Sequence, residues 1–144
     1  MNKNTMKSKS VTILSVFLLA AFLLAACGGG GGASGPTTVN ITLTDFQITS
    51  SLASFKVGVP YHFVVKNSAA VPHEIWIDPV DPNLTPDTAK AQALAGLGPD
   101  SLGGGASMSF DYTFTKAYPA GAIEFACHLP GHYESGMHVA ITVQ

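Results

Sequence analysis

From Thr37 to the C-terminus, apolar and polar residues alternate with a period of two, the pattern of strands that bury one face. Val39, Ile41 and Leu43 alternate with Asn40, Thr42 and Thr44, and Phe46 and Ile48 continue the segment beyond Asp45. Phe55 and Val57 lead into Gly58 and Pro60, a turn signal, and Tyr61 to Lys66 is a run of β-formers ending at Asn67. A strand is expected over Pro72–Ile77, with His73, Ile75 and Ile77 on one face and Glu74 and Trp76 on the other. Met108, Phe110, Tyr112 and Phe114 form another alternating set. Ile123, Phe125 and Cys127 form the next, and Met137, Val139, Ile141 and Val143 the last.

One stretch breaks the alternation. Thr85 reads as a helix N-cap, Pro86 as a first helical residue and Thr88–Ala95 as an Ala-rich helical run stopped by Gly96. Gly103–Gly105 marks a loop before the next strand. Seven to eight short strands with turns between them and one short inserted helix predict an all-β domain, a β-sandwich or Greek-key barrel.

Residues 1–26 follow another pattern. Lys3, Lys7 and Lys9 precede an uncharged, mostly apolar run from Val11 to Ala26, the layout of a signal peptide. That run is shorter than the roughly 20 residues that cross a bilayer comfortably, although an uncleaved membrane anchor is the alternative. Gly28–Gly32 with Ala33-Ser34-Gly35-Pro36 offers almost no side chain to bury, so 27–36 reads as a flexible tether. The segment 37–144 is then one domain with its own core.

Charge narrows the partners. Beyond the signal peptide the chain has nine carboxylates against four lysines and no arginine, a formal charge of −5. With no basic cluster to neutralise phosphates, nucleic acid is not an expected partner; a basic redox protein steered by the acidic surface is compatible.

The chemistry concentrates near the C-terminus, where Cys127, His132 and Met137 follow at intervals of five residues. Thiolate and imidazole together select copper among first-row metals, and a His₂Cys set with a weak axial Met is the arrangement of electron-transfer copper. His73, in phase with Ile75 and Ile77, is the candidate for the second imidazole. Zinc is disfavoured because structural zinc sites are richer in Cys. Cys127 and Met137 are each in phase with their strand's core residues, so both sulfurs point inward at one end of the sandwich. His128 and His138 are out of phase and should face away, yet together they offer a second, weaker metal site; His62, within its strand, reads as structural.

The ending Leu24-Ala25-Ala26-Cys27 resembles the bacterial lipobox, which implies that Cys27 is lipidated and Cys127 is left unpaired. A Cys27–Cys127 disulfide is the competing account, but it would tie the domain to its tether and leave the lipobox unexplained. Around the ligands the chain resembles a cupredoxin. The Cys-x4-His-x4-Met spacing with Pro130-Gly131 before the His is similar to rusticyanin and its sulfocyanin relatives, more than to plastocyanin or azurin. The resemblance implies a type 1 site with one copper ion on His73, Cys127, His132 and Met137. It also implies that electrons pass through an apolar patch of Leu129, Pro130 and Tyr133 around His132. The residue after the first His is often Asn or Ser in that family and here is Glu74, which, pointing away from His73, is expected to be solvated or, less simply, to tune the ligands.

The expected function is a one-electron carrier cycling Cu(II) and Cu(I) between a donor and an acceptor, a cytochrome or membrane complex, outside the cytoplasm. The chain is expected to be a monomer held to a bacterial membrane, in the periplasm or at the cell surface, through lipid on Cys27. The alternative is copper buffering, resistance or delivery, which His128, His138 and Met108 would favour. An enzyme is not expected, because copper oxidases and nitrite reductases need further metal centres and an open substrate position.

Overall fold

The computed structural model describes residues 35–144; the expected signal peptide, Cys27 and the tether up to residue 34 lie outside them. Nine strands and one helix follow in order: β1 (Thr37–Thr44), β2 (Gln47–Ser50), β3 (Ser54–Phe55), β4 (Pro60–Asn67), β5 (Ile75–Pro79), α1 (Pro86–Gln92), β6 (Ala95–Leu97), β7 (Ser107–Thr113), β8 (Tyr118–Ala126) and β9 (His138–Val143). They form two sheets, one of four strands in the order β2-β1-β4-β7 and one of five in the order β3-β9-β8-β5-β6. The β1–β4 and β3–β9 pairs are parallel and the others antiparallel. No described helix is long and apolar enough to cross a membrane.

The alternation sets the core. Val39, Ile41 and Leu43 of β1 and Tyr61, Phe63 and Val65 of β4 face Ile75, Ile77, Ile123 and Phe125 of the other sheet, all of them buried. Phe55 lies at the centre, with ring centroids 5.0 Å from Tyr61, 5.3 Å from Phe114 and 5.9 Å from Phe63 and Phe125. Each such buried side chain contributes about 1.5–3 kcal/mol of transfer free energy. This aromatic plug fills the end of the sandwich where Phe55 pairs with Val143, opposite the end at which β8 and β9 carry Cys127 and Met137.

The structure departs from the expected elements in four places. β3 and β6 raise the strand count to nine, and at two and three residues neither is long enough to show alternation. The helix begins as expected, with Thr88 N–H donating to the Thr85 hydroxyl at 3.3 Å, but ends at Gln92, and Ala95-Gly96-Leu97 pairs with β5 instead. Gly96 permits this pairing because a Cβ there would lie 2.3 Å from the Ile75 carbonyl oxygen. Phe46 does not continue a strand; it forms the β1–β2 turn with φ of 61°, a left-handed conformation uncommon for a bulky residue. Finally β5 begins at Ile75, leaving His73 and Glu74 in the segment before it.

Candidate metal centre

β8 and β9 pair up to Ala126 and His138, and one further hydrogen bond, from Cys127 N–H to the Met137 carbonyl at 3.0 Å, closes the ladder. The nine-residue excursion between Cys127 and Met137 is folded on itself. His132 N–H donates to Leu129 O at 2.9 Å, Gly136 N–H to Tyr133 O at 2.9 Å and Met137 N–H to His132 O at 3.0 Å. Gly131 and Gly136, at φ of 81° and 93°, make its left-handed turns without steric cost. His132 is thereby carried back over Cys127.

His73 arrives from the segment between β4 and β5. Its N–H donates to Leu102 O at 3.1 Å, and fully buried Asn67 fastens the same segment, its amide donating to Val71 O at 2.8 Å and Leu102 O at 2.9 Å. Asn67 reads in sequence only as the end of a strand, and its stapling role depends on loops far apart in the chain.

These elements bring the donors together. His132 Nδ1 lies 3.2 Å from His73 Nδ1 and 3.5 Å from Cys127 Sγ. Among the described residues this trio is the only group of three or more His, Cys, Asp or Glu side chains whose ligand atoms lie within 4.8 Å of one another. An ion bonded to nitrogen at about 2.0–2.1 Å and to sulfur at about 2.3 Å, lengths usual for a first-row divalent metal, spans separations of this size. Met137 is fully buried in the same core cluster as Cys127 and joined to it by the ladder bond. His73, Cys127, His132 and Met137 are arranged as a mononuclear copper site, and the mixture of thiolate, imidazole and thioether fits copper.

Without metal, burial favours the uncharged forms of His73 and Cys127. Burial lowers the His73 pKa below its ordinary 6.5, the neighbouring His132 lowers it further, and Asp45 partly opposes both. Asp45 Oδ1 lies 3.6 Å from His73 Nε2, beyond hydrogen-bond length, and that nitrogen is buried with no hydrogen-bond partner. Burial likewise raises the Cys127 pKa above 9.0, against the backbone N–H groups of Glu74 and Leu129 that favour the thiolate. A metal ion bound here would take the place of the thiol proton, and the Glu74 and Leu129 N–H groups would steady the sulfur.

Around His132 the surface is mostly apolar, although the exposed Asp45 also lines it. Leu129, Pro130, Val71, Pro72 and Pro99 line a shallow depression with it, and the exposed Phe46 ring stands edge-on to the imidazole with centroids 5.4 Å apart. Phe46 joins this patch only because the β1–β2 turn takes its strained conformation. Tyr133, expected in the patch, is on the other side of the strand end. Its hydroxyl donates to Glu124 at 2.7 Å, and its ring is stacked between His128, 5.3 Å away, and His138, 4.2 Å away.

That stack also keeps His128 and His138 apart, so they do not form a joint metal site. His128 Nε2 instead lies 2.8 Å from Asp78 Oδ2, and His138 Nδ1 2.9 Å from Glu124 Oε2. Glu74 is not solvated: it is 1% exposed, accepts the His128 N–H at 2.9 Å and lies 3.8 Å from the Lys90 ammonium of α1. Its carboxylate therefore bridges the His73 segment to the residue after Cys127. His62 pairs across strands with Asp111, Nδ1 to Oδ1 2.6 Å, and Met108 is exposed on β7.

Comparison with protein-family models gives no match. Among curated proteins, the copper-resistant cuproprotein CopI of Rubrivivax gelatinosus is 27% identical over 121 residues, spanning 80% of this chain and 71% of that protein. Among solved structures, auracyanin of the photosynthetic bacterium Roseiflexus castenholzii superposes with a TM-score of 0.60 at 21% identity, over 77% of this chain and 99% of that one. Rusticyanin of Thiobacillus ferrooxidans does so with a TM-score of 0.56 at 18% identity, over 77% and 79% of the two chains. The fold is the cupredoxin β-sandwich, with His73, Cys127 and His132 gathered at its end beside the buried Met137.

Proposed function

We propose that the protein is a one-electron carrier that cycles copper between Cu(II) and Cu(I), donor and acceptor being redox proteins outside the cytoplasm. The observation that carries this reading is the burial pattern. His73, Cys127 and Met137 are fully buried, whereas His132 is only partly buried and opens onto an apolar depression. Copper, when bound, supplies the one-electron couple. The chain's own residues do the rest: β8, β9 and the Asn67 staple hold the donors in place before metal arrives, which keeps reorganisation small. The Glu74 and Leu129 N–H groups support the sulfur, and the depression brings a partner to the His132 edge while excluding water.

The reading extends to a lipid anchor on Cys27 and a membrane-tethered carrier, supported by the lipobox-like ending and the glycine run. It treats the protein as a carrier and not an enzyme, because the four donor positions are all filled by side chains. Copper loading should give an intense visible thiolate-to-copper band that Cys127→Ser abolishes; a colourless copper-loaded protein would sink the proposal.

The likeness to a copper-resistant cuproprotein favours a second reading, copper buffering or delivery with the same site. Exchange separates the two. A carrier keeps its copper through repeated reduction and reoxidation, whereas a delivery protein passes Cu(I) to an acceptor or a competing chelator on each cycle.

A further inference from the structure

On the opposite face of the β5–β8 pair lies a cluster of ionisable groups that electron transfer does not use. Asp78 and Glu124 are direct cross-strand partners, 1% and 3% exposed. Carboxylates facing each other repel, and buried ones need positive charge or a full set of hydrogen bonds. Glu124 has both oxygens bonded, to the Tyr133 hydroxyl and to His138. Asp78 does not: Oδ2 lies 2.8 Å from His128 Nε2, while Oδ1 is buried with no partner.

Among the described residues no lysine is paired with either carboxylate. Their ion-pair partners are imidazoles alone, and Lys90 is held by Glu74 and Asp87. Both carboxylates line a cavity of about 310 Å³ between the sheet, α1 and the Cys127–Met137 loop, whose wall also carries His128, Asp81 and Glu134 but no lysine. The lining thus includes four acidic residues and one histidine, with Asp78, Glu124 and His128 buried in its floor, beside a space large enough for an ion and its waters.

We propose that this cavity binds a divalent first-row cation, held by the Asp78 carboxylate and the His128 imidazole. Asp78 Oδ2 and His128 Nε2 share a hydrogen bond at 2.8 Å; two ligands at right angles, each about 2.0–2.1 Å from an ion, are about 2.9 Å apart, so an ion that replaces the shared proton needs little change in their spacing. Water completes the coordination, and Glu124, Asp81 and Glu134 supply attraction. Oxygen and imidazole donors suit Zn(II) or Cu(II), not Cu(I). This site therefore differs in preference from the sulfur-containing one, although Cys127 and His128 are adjacent in the chain.

The test is titration of Zn(II) into the full chain already loaded with one equivalent of Cu(I), a diamagnetic state, followed by calorimetry and by NMR of the histidine rings. One further equivalent should bind, and His128 should shift while His62 does not. Asp78→Asn should weaken binding by at least about tenfold, the scale on which altered metal surroundings act. Absence of the further equivalent, equal binding by Asp78→Asn, or shifts at His62 or His138 in place of His128 overturns the proposal. Should Asp78→Asn fail to fold, Glu134→Gln at the exposed wall serves: weaker Zn(II) binding supports the site and unchanged binding overturns it. Shifts of His73 and His132 would report zinc in the first centre, so failure of the copper reading is distinguished from failure of this one.

Discussion

Cys127 and His128 are consecutive residues at the end of β8, and the two faces to which they belong treat buried polar groups in opposite ways. On the inner face Cys127 and His73 are fully buried, and the two imidazole Nδ1 atoms and the sulfur converge without a carboxylate to occupy them. On the outer face each imidazole is bound to a carboxylate, His128 to Asp78 and His138 to Glu124, with the Tyr133 ring stacked between them. A donor withheld from hydrogen bonding is available to a metal, and one already engaged is first a structural partner. Glu74 acts on both faces: its backbone N–H supports the Cys127 sulfur while its carboxylate holds the His128 N–H.

The comparison breaks most completely at the sulfur. Cys127→Ser should abolish the visible band of the copper-loaded protein and weaken copper binding, whereas His128→Gln should leave the band in place; absorption and EPR spectra read both. A His128→Gln variant without the band would mean that the faces are not separate.

Next in size is the residue they share. Glu74→Ala leaves the buried His128 N–H without an acceptor, a loss of about 1–3 kcal/mol in a urea unfolding experiment. Because the same change loosens the Cys127–His128 peptide, the reduction potential should move with it. A stability loss with an unchanged potential would confine Glu74 to the outer face.

Tyr133→Phe removes one side-chain hydrogen bond, to Glu124, and the cost should be smaller, about 1 kcal/mol. The copper band and potential should not change. A shifted band would show that the outer stack reaches the metal.

The mildest effect is titration of the inner face in the metal-free protein. His73 has a folded pKa below 6.5, chiefly through burial and then through His132, so the unfolded chain takes up the proton first. Stability is therefore complete above about pH 6.5 and is lost as pH falls from there towards the folded pKa. Urea midpoints should decline in that window and His73→Asn should remove that part of the decline. Copper loading should move it to lower pH, because protons must then compete with the metal.

Much of this molecule was legible in advance. Alternation located the main strands because a sheet with one buried face imposes a period of two, and Thr85-Pro86 marked the start of α1 because capping is local chemistry. The ligand spacing was legible for the same reason, since Cys127, His132 and Met137 lie on one short stretch joining two paired strands. Phe46, Tyr133 and Glu74 were misplaced, each for a physical reason. Phe46 adopts a conformation its side chain does not favour, Tyr133 follows a turn in a loop whose path no alternation governs, and Glu74 precedes its strand, so strand phase did not apply to it.

The sequence by itself determined the period of the strands, the identity of the donors and the sulfur-imidazole chemistry that fits copper, because these reside in single residues and short spacings. Only the tertiary structure decided that His73 meets His132 at one end of the sandwich, that Asn67 staples its segment, and that Asp78 faces Glu124 beneath α1. Those outcomes depend on sheet register and on loops packed from distant parts of the chain. The Cys127 face and the His128 face are one residue apart in sequence, and it is the burial of both sides of β8 that makes them two different environments.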